Sequence, residues 1–371
     1  MDGGAGAAPP ALPRGAHHRR PARRTRVTRV FRTADFAYVL PAERIAQDPL
    51  PDRAASRLLV LARPGGAIRH ARFSDIIELV APQDVLVLNV SRVIPARLRG
   101  TRARGAAAEL LLLRPLSDGT WLALGHPGGK LKPGRTVRLG ADSTVEIVAR
   151  LGAGVRRVRF LGPLDAAATL AKYGDVPLPP YIRRPARPDD RERYQTVYAA
   201  HDGSVAAPTA GLHFTPELLE RLRARGVAVA ALDLHIGLGT FKPVAVDDLR
   251  QHVMHPEPYA LSEAAAGLIN ARRAAGGRSW AVGTSVARAL ETCADERGRL
   301  QAGEGETRLF LHPPYAFRAV DCLLTNFHLP HSTLLMLVCA FGGYEAVMQA
   351  YRTAVEQGYR FYSYGDAMAV V

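Results

Sequence analysis

The sequence predicts an α/β main domain carrying an inserted small all-β barrel, with a disordered Arg/Pro-rich tail in front. Three observations predict it. Apolar strand-like runs followed by helical patterns recur through residues 33–96 and 161–371, the texture of an α/β sheet. Between them, residues 97–160 switch to short β-like runs separated by Gly and Pro turns, the texture of a small barrel. Residues 1–32 hold eight arginines, one acid (Asp2) and almost no aliphatic periodicity, so they lack the apolar surface that offsets ordering entropy.

Taken in order, the fold begins near Thr33, and Leu40 to Ala46 reads as a short helix. Ser56 to Leu61 is a strand, Gly65-Gly66 a turn and Ile68 to Phe73 a return strand. Ser74 is placed to cap a helix through Val80. Val85 to Asn89 is a buried strand that stops on a polar residue. The β-like runs of the insert are Glu109 to Arg114, Thr120 to Leu124, Thr136 to Leu139, Thr144 to Val148 and Val155 to Phe160. Lys130, Lys132, Arg135, Arg138 and Arg150 make this insert basic. Leu164 to Tyr173 is a helix, and the prolines of Val176 to Ile182 make a rigid connector. The small residues from Ala206 to Gly211 form a strand end and tight turn, and Thr215 caps a helix with Pro216 at its first position. Helices follow over Ser262 to Ala275, Val286 to Cys293 and Leu334 to Phe341, with strands before His235, Thr284 and Asn326, and the chain closes with Tyr351 to Tyr359 and Phe361 to Asp366.

Bulk properties narrow the function. The 371 residues suffice for two domains, and the net charge is +15. The tail accounts for +7 of it and leaves +8 on the remainder, a balance that favours a polyanion such as nucleic acid. The longest apolar run, Leu334 to Phe341, is far short of the ~18 residues of a membrane span. The first 30 residues contain neither a signal-peptide apolar core nor the amphipathic helix of a transit peptide. Cys293, Cys322 and Cys339 are widely spaced, which argues against a disulfide framework or zinc ribbon and fits a reducing cytoplasm.

Five apolar strands stop on polar side chains: at Asn89, near Thr209, at His235, at Thr284 and at Asn326 to His328. In open α/β sheets, ligands sit beyond the carboxyl ends of the strands. The expectation is therefore one polar sheet edge, with His213 and His235 flanking one pocket. Arg288 and Glu291, three apart on a helix, also read as an ordinary surface pair. Rival chemistries are weaker. His252, His255 and Glu257 have metal-ligand character, but Pro256 breaks the helix that would align them. Gly237-x-Gly239 lacks the third glycine of a dinucleotide loop, and Ser285 is outside any G-x-S-x-G elbow.

Longer blocks carry a more specific resemblance: Ser91–Leu98 (SRVIPARL), Pro177–Ile182 (PLPPYI), Tyr194–Tyr198 (YQTVY), Val205–Phe214 (VAAPTAGLHF), His235–Phe241 (HIGLGTF), Thr325–Pro330 (TNFHLP) and Tyr364–Met368 (YGDAM). In these blocks, from about Asp35 to Asp366, the chain resembles the S-adenosylmethionine:tRNA ribosyltransferase-isomerases of queuosine biosynthesis. The resemblance implies transfer and isomerisation of the ribosyl unit of S-adenosylmethionine onto 7-aminomethyl-7-deazaguanine at the tRNA wobble position. The products are epoxyqueuosine-tRNA, adenine and methionine. It implies S-adenosylmethionine as a consumed substrate rather than a cofactor, no metal, a tRNA with a GUN anticodon as partner, no membrane, and a cytoplasmic monomer. Under it, His213, His235 and Thr209 are the catalytic candidates. Arg288 is expected to hold the methionine carboxylate, with Glu291 or Asp366 at the ammonium, and Asn326 and Thr209 to read base edges. Arg92, Arg97 and the barrel lysines are expected at phosphates. Asn89, Tyr194, Gln195, Thr240, His255, Glu257, Thr284, His328 and Tyr364 complete the expected substrate-binding set. The chain departs from the family pattern at Val90, at Ser285 and Ala287, at Pro256 and at Ala106.

Overall fold

A computed structural model describes residues 29–152, 154–237 and 244–371. Residues 1–28 of the expected tail and the candidate Thr240 lie outside the described residues.

Among the described residues eighteen strands run in chain order: β1 Arg57–Leu61, β2 Ile68–Arg72, β3 Val85–Asn89, β4 Ser91–Val93, β5 Arg97–Thr101, β6 Ala107–Pro115, β7 Trp121–His126, β8 Thr136–Arg138, β9 Thr144–Gly152, β10 Val155–Leu161, β11 Gly174–Asp175, β12 His201–Ser204, β13 Ala228–Leu234, β14 Glu257–Leu261, β15 Ser279–Val282, β16 Gly303–Thr307, β17 Cys322–Asn326 and β18 Ala367–Val370. The helices are α1 Ile76–Leu79, α2 Ala166–Tyr173, α3 Asp190–Arg193, α4 Pro216–Ala224, α5 Glu263–Ala274, α6 Thr284–Cys293, α7 Thr333–Gly342 and α8 Tyr344–Glu356.

Nine strands form a mixed sheet in the order β16-β14-β13-β3-β15-β17-β18-β1-β2. Its middle is parallel: β13, β3, β15 and β17 all run the same way. The composition explains the placement. β3 reads Val-Leu-Val-Leu-Asn and is buried throughout, as a strand covered on both faces must be. β2, by contrast, reads Ile-Arg-His-Ala-Arg, is mostly exposed and closes one edge. One core lies between the sheet and α5 to α8 (Leu59, Val87, Leu232, Ala281, Leu323, Leu335). The opposite core packs Leu86, Trp280 and Leu324 against Phe73, Phe214 and Leu218. A second sheet has the order β11-β5-β6-β7-β10-β9-β8, with β5 also paired to β8 at Thr101 and Arg138, and it has its own apolar cluster around Leu110, Ile147 and Val158. Both sheets belong to one compact unit, Phe31–Val371.

Several helical expectations shrink. Leu40 to Ala46 contains only a 3-10 turn, Ala42–Arg44. The stretch from Ser74 to Val80 holds a 3-10 turn and the single turn α1, because the Asp75 carboxylate, rather than Ser74, takes the Arg72 N–H (2.9 Å). A final helix that was not anticipated runs from Tyr344, after Gly343 (φ +85°), to Glu356. Thr215 caps α4 as expected, its hydroxyl accepting from the Leu218 N–H (3.2 Å). However, the run before it is not a strand of the main sheet. Thr209–His213 is a 3-10 turn, and β12 upstream pairs only with β4. A side chain at Gly211 would lie 1.9 Å from the Tyr198 hydroxyl, so this turn packs where only glycine fits.

Candidate active site

Because β3, β13, β15 and β17 are parallel, their carboxyl ends share one edge, and β3 lies between the two strands the chain reaches after it, β13 and β15. That is where an α/β sheet opens a crevice. A cleft occupies this edge. Asn89, Ile236, Val282 to Val286 and Thr325 to His328 line it from the strand ends, with Thr209 and Ala210 from the 3-10 turn. The proline connector contributes Tyr181, and the C-terminal segment contributes Tyr362 and Ser363. The Tyr181 and Ser363 hydroxyls are hydrogen-bonded to each other across this wall.

Of the expected polar ends, Thr209, Thr284, Asn326, His328 and Asn89 come together here. Asn89 is used by the fold. Its Nδ2 donates to the Leu234 carbonyl (2.8 Å) and its Oδ1 accepts from the Ser91 N–H (2.9 Å), which ties the ends of β3 and β13. His328 Nε2 contacts the Thr325 hydroxyl (2.8 Å), and burial pushes its pKa down to about 3.

His213 stands behind the wall rather than on it. Its Nε2 is 3.0 Å from Asn326 Nδ2, its Nδ1 is 2.7 Å from Ser56 Oγ, and its ring stacks on Phe73. Asn326 Nδ2 also faces the Tyr362 (3.2 Å) and Asp366 (3.4 Å) carbonyls, which fixes the amide as donor on that side. His213 Nε2 is therefore the acceptor and Nδ1–H donates to Ser56, whose own hydroxyl donates to the Arg53 carbonyl. Burial first, then the nearby Arg53 and Arg360 cations, push the His213 pKa down to about 3. The imidazole is neutral at physiological pH with both nitrogens engaged. Ser56 carried no sequence signal, since a serine at a strand start is unremarkable.

His235 is elsewhere, so the expectation that the two histidines flank one pocket is corrected. His235, just past the end of β13, lines a wider cleft between the two sheets. Leu113, Leu122, Leu124 and Val155 of the second sheet line it, facing His235, His255 and Pro256. Ile236 lines both clefts, so one stretch of backbone separates them. The imidazole lies where a Gly203 side chain would be: a Cβ there would come within 2.2 Å of His235 Cε1.

Other expectations are corrected in the same way. Arg288 is buried and hydrogen-bonded to the buried Glu257, so it is neither a surface pair with Glu291 nor a lining residue of the cleft. Glu291 accepts the N–H groups of Arg318 (3.0 Å), Ala319 (2.9 Å) and Val320 (3.2 Å), and its carboxylate anchors that loop. The Asp366 carboxylate takes the Arg57 (2.9 Å) and Arg360 (2.8 Å) N–H groups, and burial raises its pKa. Tyr364 donates to Asp190 (2.9 Å), and Gln195 brackets the backbone of Val93 (3.1 and 3.2 Å). Tyr194 is buried beside Tyr364. Arg97 bridges Glu109 (2.8 Å) and the Leu178 carbonyl (2.9 Å), whereas Arg92, Lys130 and Lys132 are exposed. Among the described residues, no three His, Cys, Asp or Glu side chains gather as a metal set, and His252 packs edge-on against Phe310.

A crevice beyond parallel strand ends, beside a wider cleft walled by the second, antiparallel sheet, is the arrangement of an α/β ligand-binding fold. Residues 33–370 match the family model described as queuosine biosynthesis protein. The S-adenosylmethionine:tRNA ribosyltransferase-isomerase of Moorella thermoacetica is 51% identical over 349 residues, 92% of this chain and all of that one. The protein of the same name from Thermus thermophilus is 51% identical over 345 residues, 91% of this chain and 98% of its own. The crystal structure of S-adenosylmethionine tRNA ribosyltransferase from Thermotoga maritima covers 91% of this chain and all of that one, at 39% identity and a TM-score of 0.52. The chain belongs to the queuosine biosynthesis family of S-adenosylmethionine:tRNA ribosyltransferase-isomerases.

Proposed function

We propose that this protein transfers and isomerises the ribosyl unit of S-adenosylmethionine onto 7-aminomethyl-7-deazaguanine in the tRNA wobble position, releasing adenine and methionine. The observation that carries the reading is the family match over residues 33–370, whose shared blocks supply the strand-end cleft: Thr209 and Ala210, Ile236, and Thr325 to His328. S-adenosylmethionine is a substrate in this reading and occupies the narrow polar cleft. The acceptor base enters from the wider cleft between the sheets. Ile236, common to both, marks where the two reactants meet.

The sulfonium acidifies the ribose 5′ carbon, so the reaction begins with removal of a proton there, and the acceptor amine must also be deprotonated to attack. His235, half-buried at the wider cleft, is assigned to this proton transfer. His213 serves as a positioning residue that holds Asn326. The second sheet is an inserted barrel domain, and its exposed Lys130, Lys132, Arg135 and Arg138, with Arg92, track the phosphates of a tRNA carrying a GUN anticodon. The working unit in this reading is a monomer. Among the described residues no single helix is long and apolar enough to cross a membrane, in keeping with a cytoplasmic enzyme. The test is incubation with S-adenosylmethionine and tRNA carrying the deazaguanine precursor. Adenine release together with the nucleoside mass increase is expected; absence of adenine release overturns the reading.

A further inference from the structure

The narrow cleft contains two unmet hydrogen-bonding demands of opposite sign. One is the start of α6. This ten-residue helix begins at Gly283 (φ +108°), which has no side chain to cap it. The first N–H groups, at Thr284, Ser285 and Val286, have no partner within the helix, and all three residues line the cleft. Such a terminus carries partial positive charge and suits an anion. The other is Asn326 Oδ1. Asn326 is 2% exposed, its Nδ2 is turned into the wall toward His213 and the Tyr362 and Asp366 carbonyls, and its Oδ1 has no hydrogen-bond partner. Asn326 lines the cleft, and the oxygen is the end of its amide that the wall leaves without a partner. A buried acceptor left unpaired is costly, which makes it a place for a donor to arrive.

Anion-seeking donors at one corner and a lone acceptor on the neighbouring strand end, β17, match a zwitterion. The lining itself has no lysine, arginine or carboxylate side chain among the described residues, so it supplies no net charge to exclude one. We propose that this corner holds the α-amino-acid end of S-adenosylmethionine, with its carboxylate on the α6 N–H groups and its ammonium donating to Asn326 Oδ1. This rests on the reading that the cleft binds S-adenosylmethionine. It moves carboxylate recognition from Arg288, which Glu257 engages, to backbone. The Ser56–His213–Asn326 chain then has a purpose: it holds the amide so that its oxygen faces the ligand.

The test is calorimetric binding to the full-length protein with three probes: S-adenosylhomocysteine, its des-amino analogue that keeps the carboxylate, and 5′-methylthioadenosine, which lacks the amino-acid end. Charge-assisted hydrogen bonds predict a loss of roughly 10-fold for the des-amino analogue and roughly 100-fold for 5′-methylthioadenosine. In Asn326→Ala, S-adenosylhomocysteine weakens roughly 10-fold while the des-amino analogue is unchanged. Equal binding of S-adenosylhomocysteine and 5′-methylthioadenosine to the unaltered protein overturns the proposal, whether or not the variant folds. Equal weakening of S-adenosylhomocysteine and the des-amino analogue by Asn326→Ala overturns the Asn326 assignment. If neither S-adenosylmethionine nor S-adenosylhomocysteine binds, the functional reading itself falls.

Discussion

His213 and His235 both sit in blocks shared with the family, yet they occupy opposite kinds of place. His213 is sealed behind the cleft wall, with Ser56 and Asn326 on its two nitrogens and Phe73 on its face. His235 is half-buried on the rim of the wider cleft, resting on Gly203. The difference teaches that an imidazole's role follows from its surroundings. Desolvation removes the proton-carrying capacity of the first and converts it into a fixed hydrogen-bonding bracket. The second retains access to the space between the sheets, where an acceptor must approach.

The contrast can be broken by substitution. The largest expected effect is His235→Ala, which should lower turnover roughly 10²–10⁴-fold with tRNA affinity retained. Single-turnover adenine release measures it, and full activity would remove His235 from the chemistry. Gly203→Ala should follow at roughly 10²-fold, because the new methyl must displace the imidazole. His213→Ala should act on stability, by about 2–4 kcal/mol, through a buried void and unpaired Ser56 and Asn326 groups. Urea unfolding reads it.

A pH series sharpens the same point. The pKa values of His213 and His328 fall to about 3 in the fold, below that of an unfolded histidine. Below the unfolded pKa the denatured chain binds more protons than the native one, so stability is full at neutral pH and declines as pH falls through that window. The expected loss between pH 6.5 and 5 is about 2 kcal/mol per histidine. A His213→Gln protein, unable to protonate there, should lose one histidine's share of the slope. The smallest effect belongs to the second sheet: Lys130→Ala with Lys132→Ala should weaken tRNA binding severalfold and flatten its salt dependence by about one to two phosphates' worth. An unchanged salt slope would contradict their placement at the backbone.

Much of the frame was legible beforehand because periodicity and punctuation are local. The all-apolar run before Asn89 announced a buried strand, Thr215 with Pro216 announced a helix start, and the Gly/Pro spacing of residues 97–160 announced a second β region. The polar strand ends were legible as a set, and three of them do border one cleft, through Asn89, through Thr284 and through Asn326 with His328, joined by Thr209 from the 3-10 turn. Less legible was which side each side chain takes. His235 and Ile236 are adjacent just past β13, yet Ile236 borders both clefts and His235 only the wider one, a placement set by how the two sheets pack.

By itself, then, the sequence determined the α/β class, the second β region and, through its longer blocks, the family. These depend on neighbours within a few residues, where hydrophobic period, caps and turns act directly. Only the tertiary structure decided that Arg288 belongs to Glu257, that Glu291 anchors a loop, that Ser56 orients His213, and that Asn326 presents an unpaired oxygen beside an uncapped helix. Those pairings join residues up to 157 positions apart, and burial, a property of the whole packed molecule, assigns their charge and their hydrogen-bonding direction.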